Sequence, residues 1–160
     1  MFLFALLIIG LLVSVVLAIS LSVFNIIIEP IFIQIFKRPV YLYWYPIPKK
    51  LTPNQSYILE KEFPFYRKLS DKKKIYFEHR IKSFIDKYLF EGRKNLVVTD
   101  EMMILIAGSY IILTFGLRNY LVEIFDKIII YPEVYLSTLN QTYHKGEFNA
   151  KMKAVVFSWE

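Results

Sequence analysis

Two histidines, scattered carboxylates and no cysteine are all that this 160-residue chain offers for building a reactive site. A zinc site needs three or four nitrogen, sulfur or oxygen ligands on converging elements. His79 lies beside Glu78 and shares a helical face with Lys82 and Asp86, the setting of a solvated or salt-bridged histidine. His144 sits next to Lys145 with no second histidine nearby. Asp100 and Glu101 fall in the first turn of a predicted helix, where the dipole favours negative charge, and Asp71 is accounted for by capping. There is no Gly-rich phosphate loop, no Gly-x-Ser-x-Gly elbow and no His-Glu-x-x-His. Tyr and Phe are abundant but fall at helical or strand spacing, as core residues do. The residues by themselves assign no catalytic, cofactor-binding or metal-binding position.

The elements that would position any such group begin with an apolar helix. Met1 to Ile28 carries no Asp, Glu, Lys, Arg or His. At about 1.5 Å per residue it rises roughly 42 Å, enough to span a hydrocarbon core of about 30 Å with tilt. A signal peptide is the competing reading. Such peptides open with a positive region and carry an apolar stretch of about 7 to 15 residues; here the first charge is missing, the run is longer, and Ala18-Ile19-Ser20 is a poor cleavage site. All 20 Lys and Arg and all 14 Asp and Glu follow Ile28, so the net charge of +6 belongs to the rest of the chain. Lys37, Arg38, Lys49 and Lys50 lie close behind the helix, and the positive-inside rule puts that flank in the cytoplasm with the N-terminus outside.

Glu29 to Lys50 holds Pro30, Pro39, Pro46 and Pro48 and the aromatic cluster Tyr41, Tyr43, Trp44 and Tyr45. Prolines at that density oppose helix and central strand. The segment reads as a juxtamembrane linker, its rings suited either to the headgroup level or to packing on the domain. Thr52-Pro53 is a cap followed by Pro at the first helical position, beginning a short helix that stops near Pro64. From Ser70-Asp71, the spacing of Phe77, Ile81, Phe84, Ile85, Tyr88 and Leu89 predicts an amphipathic helix over 71–90, closed by Gly92.

Leu96-Val97-Val98 is a brief extended entry to Thr99, the cap of a third helix. Met102 to Leu117 is uncharged for 16 residues, short of the roughly 20 a spanning helix needs. It reads as a buried central helix, with a second membrane pass as the alternative. Ile128-Ile129-Ile130 and Ala154 to Trp159 read as strands, with polar Asn140 to Asn149 as their connection. The fold class is α+β: one N-terminal transmembrane helix over 1–28, a linker over 29–50, and a mainly helical domain over 51–160 ending in a short antiparallel β-hairpin. Basic residues near an anionic leaflet explain the charge. They are scattered, and no aromatic-basic signature accompanies them, so nucleic acid is not a partner. The absence of cysteine excludes disulfides and Cys-ligated zinc and agrees with a reducing compartment.

Five segments together carry a family resemblance. They are Phe63-Pro64-Phe65-Tyr66-Arg67-Lys68-Leu69-Ser70, Phe90-Glu91-Gly92, Leu96-Val97-Val98-Thr99-Asp100-Glu101-Met102 running into Ile106-Ala107, Ile130-Tyr131-Pro132, and Val155-Val156-Phe157-Ser158-Trp159-Glu160. In order and spacing, Pro46 to Glu160 resembles the N-terminal part of the Mlc titration factor A (MtfA) family of zinc-dependent peptidases.

That resemblance implies an incomplete gluzincin-like scaffold whose His-Glu-x-x-His helix, supplying two zinc ligands and a general base, would follow the last strand. It therefore carries over no ligand or base to any residue here. It implies zinc in a full-length member, none on this chain, and a peptide or protein substrate. It also implies Ala154 to Trp159 as an edge strand that holds extended peptide. An apolar face is expected to lie open on the helix over 102–117. The alternatives are a non-catalytic membrane-tethered binding or regulatory module with a protein partner, and an unrelated membrane-anchored structural protein.

Overall fold

Helix α1, Phe2–Val23, satisfies its own side-chain polar groups, as a segment in lipid would have to. The hydroxyls of Ser14, Ser20 and Ser22 and the amide of Asn25 donate to carbonyls three or four residues earlier, at 2.7–2.9 Å. A π-helical stretch, Phe24–Ile28, leads directly into α2, Glu29–Phe36. The proline density predicts an irregular linker from Glu29, whereas the helix continues through Pro30. Pro30 lacks the N–H of a regular turn and crowds the carbonyl before it, and the wider turn immediately upstream relieves that conflict. Lys37 ends the helix in the left-handed region (φ 55°), its N–H donating to the Ile33 carbonyl at 2.9 Å. Among the described residues, Phe4–Phe36 is the one helix long and apolar enough to cross a membrane.

The structure is a computed structural model and describes residues 2–37, 39–137 and 141–160. Two compact units result, Met1–Leu42 and Tyr43–Glu160.

In the second unit the predicted caps form as the sequence dictates. Helix α3 is Pro53–Glu62. Thr52 and Gln55 close a reciprocal capping box, with Gln55 N–H to Thr52 Oγ1 at 3.3 Å and Thr52 N–H to Gln55 Oε1 at 3.2 Å. A single turn, α4 (Pro64–Arg67), follows at once. Helix α5, Asp71–Lys87, buries Phe77, Arg80, Ile81 and Phe84. Its expected continuation to residue 90 is corrected: Tyr88 leaves the helix, and Leu89–Gly92 is strand β1. Gly92 ends that strand rather than closing a helix. Helix α6, Asp100–Thr114, starts on Thr99, whose Oγ1 accepts the Met102 N–H at 3.3 Å. Leu96 to Val98 joins no strand.

The remaining strands are β2 (Lys127–Tyr131), β3 (Tyr135–Leu136), β4 (Tyr143–His144), β5 (Gly146–Asn149) and β6 (Ala154–Ser158). β3 and β4 form a small antiparallel pair, and the main sheet runs β1-β2-β6-β5. β2 pairs parallel to both β1 and β6, with Lys127 opposite Leu89 and Ala154. Ile128, Ile129 and Ile130 are all buried because a central parallel strand is covered on both faces. The antiparallel hairpin exists, but it joins β5 to β6. The polar stretch read as a mere connection contains β5, and β6 is therefore an inner strand. The edge assignment of Ala154 to Trp159 is thus corrected: the edges are β1 and β5.

Candidate functional site

Helix α6 is apolar on all sides, and the core covers only one of them. Ile104, Ala107, Gly108 and Ile111 are buried with Phe63, Phe77 and Phe84. The opposite stripe, Leu105, Ser109 and Leu113 with Ile106 and Tyr110, forms one wall of a groove of about 460 Å³. Ile128, Val155 and Phe157 from the sheet make the other wall, with Phe84 and Phe125 contributing. Leu113 is 84 % exposed, so the expected open face of this helix is present. A second, smaller hollow of about 180 Å³ lies among Arg93, Ile129, Tyr131, Tyr135, Glu147 and Asn149. Burial, then the Glu147 carboxylate and Tyr131, push the Tyr135 hydroxyl up to about 12.

The potential metal ligands are not brought together. His79 packs on Tyr45 with ring centroids 3.9 Å apart, and its Nδ1 accepts the Lys49 N–H at 2.9 Å. His144 Nε2 pairs with Thr142 Oγ1 at 2.8 Å. Among the described residues there is no group of three or more His, Asp or Glu able to hold a metal ion. The described residues therefore do not fit a zinc centre. Asp100 does more than face the helix dipole: its carboxylate accepts from Asn54 Nδ2 and Gln55 Nε2, both at 2.8 Å, tying the start of α3 to that of α6.

Burial, then the positive charges of Lys49 and Arg80, hold His79 below the usual histidine pKa. Neutral His79 therefore favours the fold above about pH 6.5, the unfolded value, and that contribution is lost as pH falls through the folded pKa. Urea midpoints of the wild type should fall more toward acid across this range than those of His79→Gln; parallel profiles would remove His79 from the pH dependence.

The most informative buried group is one that sequence reasoning missed. Arg80 is fully buried. It donates from Nε to Tyr45 Oη at 2.7 Å and from Nη1 to the Thr114 and Phe115 carbonyls at 3.1 Å each. Its guanidinium lies 4.7 Å from the Tyr43 ring and 4.3 Å from the Tyr120 ring. Those carbonyls end α6 and have no partner within the helix, so Arg80 caps α6 from α5. The signal was available: Phe77, Arg80, Ile81 and Phe84 follow the i, i+3, i+4, i+7 pattern of a buried face.

Helices backing a mixed sheet, with an antiparallel strand on its edge, make an α+β partial peptidase domain. The family model of the glucose-regulated metallo-peptidase M90 matches residues 45–158, and the chain belongs to that family, the one MtfA typifies. It is 31 % identical over 104 residues to the uncharacterized protein slr2042 of Synechocystis sp.. That alignment covers 64 % of this chain and 33 % of the relative, so the matched part spans about a third of the relative's length. No solved structure matches the chain significantly.

Proposed function

We propose that this chain is the N-terminal scaffold of a membrane-anchored, zinc-dependent metallopeptidase, with a single-pass anchor, a juxtamembrane segment over 29–50 and part of the peptidase domain over 51–160. The family match over residues 45–158 carries the reading. The groove beside α6 supports it, because an apolar face of that kind calls for cover. Further polypeptide bearing the His-Glu-x-x-His helix supplies that cover together with the zinc ligands and the general base. The free outer edge of β5 takes the role first given to Ala154 to Trp159, holding an extended peptide or protein substrate by main-chain hydrogen bonds. Lys37, Arg38, Lys49 and Lys50 favour an N-terminus outside and a cytoplasmic domain.

An intact mass of the native membrane-extracted protein, read with the gene sequence past the Glu160 codon, tests this. The expected product is longer, carries His-Glu-x-x-His, binds zinc stoichiometrically and loses peptide hydrolysis on chelation. A product ending at Glu160 without zinc or hydrolysis would leave a non-catalytic membrane-tethered binding module and end the peptidase reading.

A further inference from the structure

The segment that opens the second unit belongs to no helix or strand, and its side chains alternate between cover and exposure over 43–46. Tyr43 stacks on Tyr76 at 5.0 Å and donates from its hydroxyl to the Phe115 carbonyl at 2.8 Å. Tyr45 packs on His79 and accepts from Arg80. With Tyr43 and Tyr45 fixed on the domain, Trp44 is turned outward and is 73 % exposed, while Ile47, beyond Pro46, is 89 % exposed. Among the described residues no large apolar side chain is more exposed than Ile47. Both tyrosines are hydrogen-bonded, so outward presentation of Trp44 is held by the fold rather than by chance of a loose tail.

The chemistry of this exposed pair matches one surface. Indole is enriched where hydrocarbon meets headgroups, an aliphatic side chain gains by entering the acyl boundary, and lysines gain about 1 kcal/mol each near anionic lipid. Exposed Lys50 follows closely, next to Lys49, whose Nζ is paired with Asp86 at 2.7 Å. Ile47 lies eleven residues beyond Phe36, where the long apolar helix ends. Even fully extended at about 3.3–3.6 Å per residue, that is a tether of at most about 40 Å. We propose that Trp44 and Ile47 form a shallow second membrane contact, with Lys50 on anionic headgroups, which fixes how the domain faces the bilayer. This rests on the membrane anchoring proposed above.

The chain has two tryptophans, so Trp159→Phe leaves Trp44 as the sole indole. The full chain carrying that change is reconstituted in vesicles of phosphatidylcholine and phosphatidylglycerol and checked by co-flotation. The expected result is a blue-shifted Trp44 emission, quenched more by lipid brominated near the acyl-chain head than near its end, and partly restored to the red in Ile47→Asp. As the protein lacks cysteine, Ile47→Cys bearing an environment-sensitive dye gives a second reading and should shift likewise on vesicle binding. A chain that co-floats while Trp44 emits like a water-exposed indole open to acrylamide overturns the contact and leaves the anchor standing. A chain that does not co-float overturns the anchor and the contact together.

Discussion

Arg80→Ala is expected to cost the second unit about 1.5–3 kcal/mol, the range for losing hydrogen bonds to a charged group. Three losses combine. The Thr114 and Phe115 carbonyls lose donors at the end of α6, and the Tyr45 hydroxyl loses the group it accepts from. Each carbonyl keeps one other donor, the Leu117 N–H on Thr114 at 2.9 Å and the Tyr43 hydroxyl on Phe115 at 2.8 Å, so what is lost is the stronger, charge-assisted bond. The flat guanidinium also leaves a gap between the rings of Tyr43 and Tyr120. Arg80→Lys keeps the charge but not the planar fork, so it should fall between Ala and wild type. Urea midpoints of the full chain in detergent, followed by near-ultraviolet circular dichroism, measure this. An Ala variant within about 1 kcal/mol of wild type would mean that α6 is capped well enough by Tyr43 and the Leu117 N–H.

The second large effect belongs to Gly92. A Cβ there would overlap the Leu96 carbonyl oxygen, a backbone atom held by the turn in which the Leu96 N–H donates to the Arg93 carbonyl at 3.1 Å. Backbone cannot swing aside as a side-chain end can, so Gly92→Ala should cost about 3 kcal/mol, the upper end for overpacking. Gly108 gives a graded comparison. Its added Cβ meets the Phe63 ring at 2.5–2.9 Å, and the gain of about 1 kcal/mol in helix propensity from Gly to Ala offsets part of the strain. Nothing lies within 4 Å of a Cβ at Gly116, and its φ is not positive. Gly116→Ala should therefore be neutral or stabilise by up to about 1 kcal/mol. The order Gly92, Gly108, Gly116 in midpoint loss is the test, and a Gly92→Ala midpoint equal to that of Gly116→Ala would show that the turn yields.

Local signals were legible where local chemistry decides. Thr52 and Thr99 start their helices because a hydroxyl beside free N–H groups is satisfied within three residues. The three consecutive isoleucines gave a strand, and their burial on both faces is what an uninterrupted run implies. Pairing was not legible, because it depends on contacts far along the chain. Nothing near Ala154 says that its partner is Lys127 in parallel rather than a neighbour across a hairpin. β1 was hidden because Tyr88 and Leu89 keep the helical spacing for one turn after the helix has ended. Pro30 misled in the other direction, since a π turn can absorb a proline that an α turn cannot. As for the candidate site, the open stripe on α6 followed from its excess of apolar residues, but the sheet residues facing it emerged only with the topology.

The register between β2 and β6 also fixes an order of events during synthesis. Domains assemble as the chain emerges, at about 5–20 residues per second. The apolar helix and α3 to α6 have been made while Ile128-Ile129-Ile130 still lacks its partner on one side, because Ala154 to Ser158 has yet to be made. For those seconds the most strand-prone run of the domain is a bare edge, the kind of segment that pairs with another chain if it finds one. Under the membrane anchoring proposed above, nascent chains inserted at separate sites would meet each other less freely than chains released into solution.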